Sequence, residues 1–141
     1  MALRANAKVE LIRHTPLFEH CSKKDLAQIA QIADELDLRA GKVLIREGDR
    51  GREFFVVVSG EVEVRRKGRK VATLGPGTFF GEMALLSQAP RSATVTALTP
   101  LDVLVITDRA FVGLLDRMPE IWLKVARALA ERVHADESRD R

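Results

Sequence analysis

The chain has 141 residues, 46% hydrophobic and 30% charged, which is enough for one domain with a core that needs no disulfide, and its lone Cys21 has no internal partner. Its 23 basic and 20 acidic residues leave a net charge of +3, so charge alone is weak support for nucleic-acid binding. Because no apolar run approaches about 20 residues and the N-terminus lacks a signal pattern, we expect a cytoplasmic protein without a membrane span.

The N-terminal part predicts short helices. Residues 1–8 carry little pattern, and residues 9–13 suit a short helix before the turn at residues 15–18. Ser22, with Asp25 three residues on, is typical of a helix N-cap. One face of the following helix is expected to be core, because its apolar residues recur at helical spacing: Leu26, Ile29, Ala30, Ala33 and Leu36.

From residue 38 to residue 107 the pattern changes to short β-rich segments separated by glycines. The predicted strands are residues 43–45, 54–58, 62–64, 71–74, 93–98 and 103–106. Many short strands at this spacing indicate a β-sandwich or barrel of jelly-roll type. The basic run at residues 65–70 falls at an expected hairpin turn, where we interpret it as a solvated loop that also attracts anions.

After Thr107 the helical period returns. Asp108 is predicted to cap a helix carrying Phe111, Leu114 and Leu115. Pro119 suits the first turn of a final helix, whose apolar residues are Ile121, Val125, Leu129 and Val133. The predicted α+β domain, residues 1–141, therefore comprises an N-terminal helical segment (1–37), a β-roll (38–107), C-terminal helices (108–133) and a frayed tail (134–141).

Residues 80–94, Phe-Gly-Glu-Met-Ala-Leu-Leu-Ser-Gln-Ala-Pro-Arg-Ser-Ala-Thr, carry the strongest functional signal. Gly81 lacks a Cβ and lets the backbone approach a ligand closely. The residues from Glu82 suit one helical turn with free N–H groups, and Pro90 ends that turn so that Arg91 folds back over it. An arginine facing a helix N-terminus favours an anion between them, while the acid can accept hydrogen bonds from sugar hydroxyls. A small molecule with one phosphate and a neighbouring hydroxyl meets both demands.

This stretch resembles the phosphate-binding cassette of the cyclic nucleotide-binding domain family, and we call residues 80–94 the cassette. The family pattern is Gly-Glu-x-Ala-Leu, a spacer, then Pro-Arg-x-Ala-Thr or Ser, and every fixed position is filled here. The likeness runs from about residue 17 to residue 133 and is greatest to the cyclic-AMP-binding domains of bacterial cyclic-nucleotide-gated potassium channels. It implies a jelly roll, or double-stranded β-helix, with an embedded short phosphate-binding helix, an N-terminal helical segment and two C-terminal helices.

The resemblance gives roles to three charged residues. Arg91 would bind the cyclic phosphate with its planar guanidinium, and Glu82 would accept a hydrogen bond from the ribose 2′-hydroxyl. Arg132 aligns with a purine-stacking arginine of the channel domains, with Arg127 as the fallback. The alternatives are an ion pair between Arg91 and a surface acid, a helix-dipole role for Glu82, and a solvated Arg132.

The remaining predicted ligand contacts are small or apolar. Main-chain groups would come from Gly81, Met83, Ala84 and Ala93, with the Met83 side chain packed under the short helix. Ser92 would bond the phosphate or a guanine amino group, and a serine here favours cyclic AMP over cyclic GMP without fixing the choice. Val64 and Val71 are candidates for an apolar wall beside the base, with plain core packing as the alternative for Val71.

One loop departs from the family pattern. Where relatives often have Gly-Asp-x-Gly-Asp, residues 48–52 of this chain are Gly-Asp-Arg-Gly-Arg. Because the loop is remote from the cassette in sequence, we expect it to leave ligand binding unchanged.

Three other classes of function fit the sequence less well. An enzyme is disfavoured, because the histidines His14, His20 and His134 lack metal-ligand spacing and no P-loop or nucleophile elbow is present; no catalytic or metal-binding residue is predicted. A cyclic-nucleotide-responsive transcription factor shares the cassette but adds a helix-turn-helix, for which residues 134–141 leave no room, so no nucleic-acid contact is expected. A ligand-free interaction module would not need Glu82 and Arg91.

The sequence therefore predicts a sensor domain for a 3′,5′-cyclic purine nucleotide, with cyclic AMP favoured and cyclic GMP open. Ligand binding is expected to act through closure of the C-terminal helix on an unidentified protein partner. No cofactor beyond this ligand is predicted. A homodimer and the role of Trp122 are left open.

Overall fold

The computed structural model describes residues 3–139, with side chains up to Val133. The helices are α1 (Ala5–Arg13), α2 (Lys23–Gln31), α3 (Asp108–Arg117) and α4 (Pro119–Arg139). The strands are β1 (Asp34–Leu38), β2 (Val43–Ile45), β3 (Glu53–Ser59), β4 (Val62–Arg66), β5 (Arg69–Leu74), β6 (Phe79–Phe80), β7 (Thr94–Ala97) and β8 (Leu101–Thr107). Short 3-10 helices lie at Pro16–Phe18 and Glu82–Leu85.

The strands form two four-stranded sheets with antiparallel pairing, in the orders β1-β8-β3-β6 and β2-β7-β4-β5. Along β3, Phe54 and Val56 pack with the helices, whereas Phe55 and Val57 pack with the second sheet. The run is apolar on consecutive residues because both of its faces are buried. The predicted jelly-roll fold with flanking helices is confirmed.

The predicted N-cap of α2 is present as a reciprocal capping box. The Asp25 N–H donates to Ser22 Oγ at 3.1 Å, and the Ser22 N–H donates to Asp25 Oδ2 at 2.9 Å. The buried Asp25 carboxylate also pairs with Lys124 of α4. Burial raises the pKa of Asp25, but hydrogen bonds from Lys124 and Ser22 outweigh burial and hold it below its ordinary value. This charge pair ties α4 to the first turn of α2.

Two boundaries of the N-terminal segment differ from the prediction. Helix α1 begins at Ala5, so residues 5–8 are helical. Leu36 does not lie on the core face of α2, because α2 ends at Gln31 and Leu36 belongs to β1, opposite Val103, where it is 43% exposed. The alternating sequence of residues 34–38 suits an edge strand with acidic side chains, and the β-roll therefore begins before residue 38.

The C-terminal helices differ from the prediction in three ways. Thr107, not Asp108, caps α3, since its Oγ1 accepts the Ala110 N–H at 3.1 Å. Val133 is exposed, and the buried face of α4 consists of Ile121, Val125 and Ala128. Helix α4 continues to Arg139, so the predicted tail is helical through that residue, and residues 140 and 141 lie outside the described part of the chain.

A strand that the sequence did not predict leads into the cassette. Strand β6 pairs with β3, with Phe80 opposite Phe55 and their rings stacked at 5.2 Å between centroids. This pairing fixes the backbone immediately before Gly81. The hairpin expected in the basic run is present, since β4 and β5 pair antiparallel and are joined by Lys67 and Gly68.

Candidate functional site

A cavity of about 510 Å³ lies between the second sheet and the cassette. Its volume is in the range of small-molecule binding sites. Eight of the predicted site residues line it: Gly81, Met83, Ala84, Arg91, Ser92, Ala93, Val64 and Val71. The other two, Glu82 and Arg132, are not among its lining residues and contact each other instead.

Gly81 is required by conformation as well as by space. It precedes the 3-10 helix with φ of 82°, in the left-handed region that residues with a Cβ rarely adopt. A Cβ at this position would lie 2.6 Å from Arg91 Nη1 and 2.9 Å from the Glu53 carbonyl oxygen. The glycine therefore lets the backbone pass directly beside the guanidinium.

Arg91 places a positive charge at the cavity without a matching carboxylate. Its Nη2 donates to the Glu53 carbonyl oxygen at 2.7 Å, and its side chain makes no ion pair with a described acid. Burial lowers the pKa of this guanidinium, while the charge of Glu53 acts in the opposite direction. A half-buried cation that keeps free donors is suited to an anionic ligand.

The loop at residues 48–52 contacts the cassette directly. We expected this loop to leave ligand binding unchanged because it is distant from the cassette in sequence, and the folded structure removes that reason. The Arg91 N–H donates to the Asp49 carbonyl oxygen at 2.7 Å, and the Gly48 N–H donates to the Arg91 carbonyl oxygen at 2.9 Å. Gly51 lines the cavity, and a Cβ there would lie 3.0 Å from Arg91 Nε and 3.1 Å from the Ala84 Cβ. The sequence did not predict this contact, because the loop and the cassette are far apart in the chain and come together only in the folded structure.

The apolar wall predicted from Val64 and Val71 lies along β4 and β5. Val64 pairs with Ala72, and the next pair joins Arg65 to Lys70, so β5 carries an extra residue, Val71, at a bulge. Val71 is 52% exposed, so its alternative role in plain core packing is excluded. Other wall residues that the sequence did not single out are Ile45, Leu74, Phe80 and Val95. Strand alternation was the available signal for Ile45, Leu74 and Val95, whereas Phe80 lies in strand β6, which the sequence did not predict.

The Met83 side chain does not pack under the short helix as expected. It is 44% exposed and lines the cavity, while Leu85 takes the buried position on that helix. Ser92 is exposed at the cavity. The amides of Ser92 and Ala93 donate no hydrogen bond to a described residue, so both are free to donate to a ligand.

Glu82 and Arg132 join the cassette to α4. Arg132 Nη1 donates to Glu82 Oε1 at 3.3 Å, with the two side chains 47% and 12% exposed. The fallback residue, Arg127, is exposed and does not line the cavity. The acid expected to bind a sugar hydroxyl is therefore engaged by a residue of the last helix.

Folding brings one histidine into a cluster that sequence spacing did not reveal. His20 Nε2 lies 2.8 Å from Glu131 Oε2 and 3.6 Å from Glu19 Oε1, and the three ligand atoms lie within 4.8 Å of one another. Both acids are exposed, as acidic groups commonly are without a metal ion. The predicted absence of a metal site stays a prediction.

The neighbouring Cys21 is poorly suited to act as a nucleophile. Burial, and to a smaller extent the charge of Asp25, raises the pKa of its thiol to about 11. The thiol therefore stays protonated at neutral pH, whereas a reactive cysteine is a thiolate.

Comparison with known proteins gives a consistent family. Residues 35–118 match the sequence profile described as "Cyclic nucleotide-binding domain". A cAMP-dependent protein kinase regulatory subunit of Mycosarcoma maydis is 41% identical over 118 residues, covering 75% of this chain and 22% of that protein. A cyclic nucleotide-gated potassium channel of Mesorhizobium japonicum is 39% identical over 112 residues, covering 79% of this chain and 31% of that protein.

Two solved structures extend the likeness to the whole fold. The N-terminal domain of a transcriptional regulator from Streptomyces coelicolor has a TM-score of 0.83 at 32% identity, covering 91% of this chain and 95% of that one. The regulatory domain of Toxoplasma gondii PKA, crystallised with cAMP, has a TM-score of 0.71 at 35% identity, covering 78% and 44%. The chain spans about a fifth to two fifths of the length of the curated relatives it matches. No helix within the described residues is long and apolar enough to cross a membrane.

Proposed function

The chain belongs to the cyclic nucleotide-binding domain family, and from that premise we propose that it binds a 3′,5′-cyclic purine nucleotide and acts as a ligand-gated sensor module. The observation that carries the proposal is the Arg91 guanidinium, which lines the cavity without an ion pair to any described acid. We propose further that the module is cytoplasmic, has no catalytic activity, makes no nucleic-acid contact itself, and acts on a protein partner.

The cyclic phosphate would lie between Arg91 and the start of the 3-10 helix. The first amides of a helix have no partner within it, and the Ser92 and Ala93 amides are also free. A charged fork and several N–H donors together suit the two exocyclic oxygens of a cyclic phosphate diester. Gly81 keeps this position open, because a Cβ would collide with the guanidinium.

The ribose would take over the Glu82 carboxylate. Its present partner, Arg132, is largely exposed and loses little when it leaves a solvated ion pair. A ribose 2′-hydroxyl that donates to Glu82 would then compete directly with the α4 arginine for the same oxygen. Ligand capture and the position of α4 would thereby be coupled.

Closure of α4 over the base is the second part of the proposed mechanism. Once Arg132 is displaced from Glu82, its planar guanidinium would stack on the purine, a contact of about 0.5–2 kcal/mol. Such coupling requires that the ligand bind the closed state more tightly than the open state. Trp122, the only tryptophan of the chain, is 47% exposed on α4 and offers a fluorescence signal for this movement.

Cyclic AMP is the proposed ligand, because a serine follows Arg91; cyclic GMP is the competing ligand. The similarity to a transcriptional regulator domain and to channel and kinase regulatory proteins leaves several proposed outputs for the surrounding protein. A ligand-free interaction module is the rival function.

The deciding experiment is a calorimetric titration of nucleotide-stripped protein with cyclic AMP, cyclic GMP and linear 5′-AMP at fixed salt. We expect micromolar or tighter binding of a cyclic nucleotide and much weaker binding of 5′-AMP. The ligand should also raise the unfolding free energy by about 2.7 kcal/mol at a hundredfold excess over the Kd. No heat and no thermal stabilisation with all three would favour the ligand-free module.

A parallel fluorescence titration tests closure separately. We expect the Trp122 emission to change with the same midpoint as the calorimetric binding curve. Binding without any change in emission would contradict movement of α4 while leaving ligand binding intact.

A further inference from the structure

Arg66 lies at the outer end of the inward face of β4. Alternate residues of a strand share a face, and Val62, Val64 and Arg66 follow this period. Val62 is buried, and both Val64 and Arg66 line the cavity. The bulge in this hairpin adds its extra residue to β5, so the alternation along β4 is preserved. Arg66 therefore continues the apolar wall with a positive charge.

Among the residues that the structure describes, two with charged side chains line this cavity, Arg66 and Arg91. Arg91 belongs to the cassette and is assigned to the phosphate under the proposed function. Arg66 follows the wall formed by Val64, Val71 and Ala72, where the base would lie. It makes no side-chain hydrogen bond or ion pair with any residue that the structure describes, unlike its neighbour Arg65, which pairs with Glu63. Its donors are therefore available to the base.

The chemistry of a guanidinium selects between purines. Arginine only donates hydrogen bonds, in a fixed fork. Guanine and hypoxanthine present two acceptors, O6 and N7, on one edge, whereas adenine presents N7 beside an amino donor. An arginine facing this edge thus gains two bonds from a 6-keto purine and at most one from adenine.

We infer that Arg66 recognises the 6-keto edge of the base and raises the affinity of this site for cyclic GMP relative to cyclic AMP, an inference that rests on the proposed cyclic-nucleotide function. The contact opposes the preference for cyclic AMP expected from Ser92. Cyclic IMP separates Arg66 from Ser92, because it carries the keto oxygen but lacks the 2-amino group, which is the alternative to the phosphate as a partner for the Ser92 hydroxyl.

The test compares the Kd values of cyclic AMP, cyclic IMP and cyclic GMP for the wild type, Arg66→Ala and the control Arg69→Ala. Arg69 is the cross-strand partner of Arg66, is exposed, and does not line the cavity, so both variants remove one charge from the same hairpin. For Arg66→Ala we expect about fivefold or greater weakening for cyclic IMP and cyclic GMP, the low end for one bidentate contact, and less than about twofold for cyclic AMP. Arg69→Ala should leave the ratios among the ligands unchanged.

If Arg66→Ala weakened the binding of all three ligands equally, the inference would be overturned, because Arg66 would then act only through its charge and not through contacts with the base. Unchanged affinities, or a loss confined to cyclic GMP, would also overturn it. Arg66→Lys keeps the charge without the fork and should lose most of the same keto preference. If the wild type binds none of the three nucleotides while folded, the proposed function itself fails, which is distinct from binding with an unaltered base preference.

Discussion

Arg132 of α4 donates to Glu82 of the cassette at 3.3 Å, and this contact joins the last helix to the residue expected to bind the ribose. The arginine is much the more exposed of the two, at 47% against 12%. Because the Arg132 guanidinium is largely solvated, its attraction to Glu82 is screened, and its replacement by a ligand hydroxyl costs little. The pair thus has the properties of an exchangeable contact between ligand site and helix.

Replacing Arg132 with alanine should weaken purine cyclic nucleotide binding by about 0.5–2 kcal/mol, the scale of a guanidinium stacked on a ring system. The loss should depend on the base and should be smaller for cyclic CMP, whose single ring offers less surface for stacking. Calorimetry with cyclic AMP, cyclic GMP and cyclic CMP measures it. A uniform loss across the three bases would count against stacking. Arg127→Ala, an exposed arginine on the same helix, is the matched control.

Replacing Arg91 with alanine should have the larger effect, a loss of at least about 1.5–3 kcal/mol, because it removes hydrogen bonds to a charged phosphate. Arg91→Lys keeps the charge but not the planar fork, and it should restore only part of the affinity. Both variants are titrated with cyclic AMP after a thermal melt shows that they are folded. Wild-type affinity in the alanine variant would remove Arg91 from the phosphate site.

The local conformation of the cassette could be predicted from the sequence, because the cassette is continuous in the chain, whereas the ligand-binding roles of its residues stay predictions. Gly81, Ala84 and Arg91 come together through one short helix and one proline-ended turn, both of which local patterns indicate. The contact of Gly51 with Arg91 could not be predicted in this way, since it depends on how separate loops pack after folding. Strand β1 was missed for a related reason: its acidic alternation has meaning only beside β8.

Gly51→Ala should weaken cyclic nucleotide binding with a smaller effect on stability. The added Cβ would lie 3.0 Å from Arg91 Nε and 3.1 Å from the Ala84 Cβ, so the guanidinium beside the proposed phosphate position must move by a few tenths of an ångström. We expect a loss of about 1 kcal/mol or more in binding, the scale of a displaced hydrogen bond to a charged group. Gly75→Ala is the control, because a Cβ there meets no atom of the described residues within 4 Å, apart from its own chain neighbours. Equal affinities for the two variants would contradict the proposed route through Arg91.

Asp102 on β8 gives the fold a pH dependence that is separate from the ligand site. Its Oδ1 is buried and has no hydrogen-bond partner among the described residues. Burial, with a further contribution from Glu35, raises the pKa of this carboxyl to about 6. The unfolded chain ionises near the ordinary value of about 3.9, so between these values the folded state holds more protons than the unfolded state. The free energy of unfolding therefore falls as the pH rises from about 3.9 to about 6. At higher pH the folded state keeps the full destabilisation from the buried, ionised Asp102.

Asp102→Asn removes the carboxylate and should raise the free energy of unfolding at pH 7 by about 1–2 kcal/mol. This is less than the full shift in pKa would give, because the side chain is only partly buried and solvent screens its charge. At pH 4 and below the difference from wild type should be small, since the folded wild type then holds the proton on Asp102. Urea denaturation at intervals from pH 4 to pH 8 measures the difference. Asp116→Asn, which removes an exposed acid on α3, is the control for the loss of one negative charge. A difference for Asp102→Asn that stays constant from pH 4 to pH 8 would show that Asp102 ionises alike in the folded and unfolded chain.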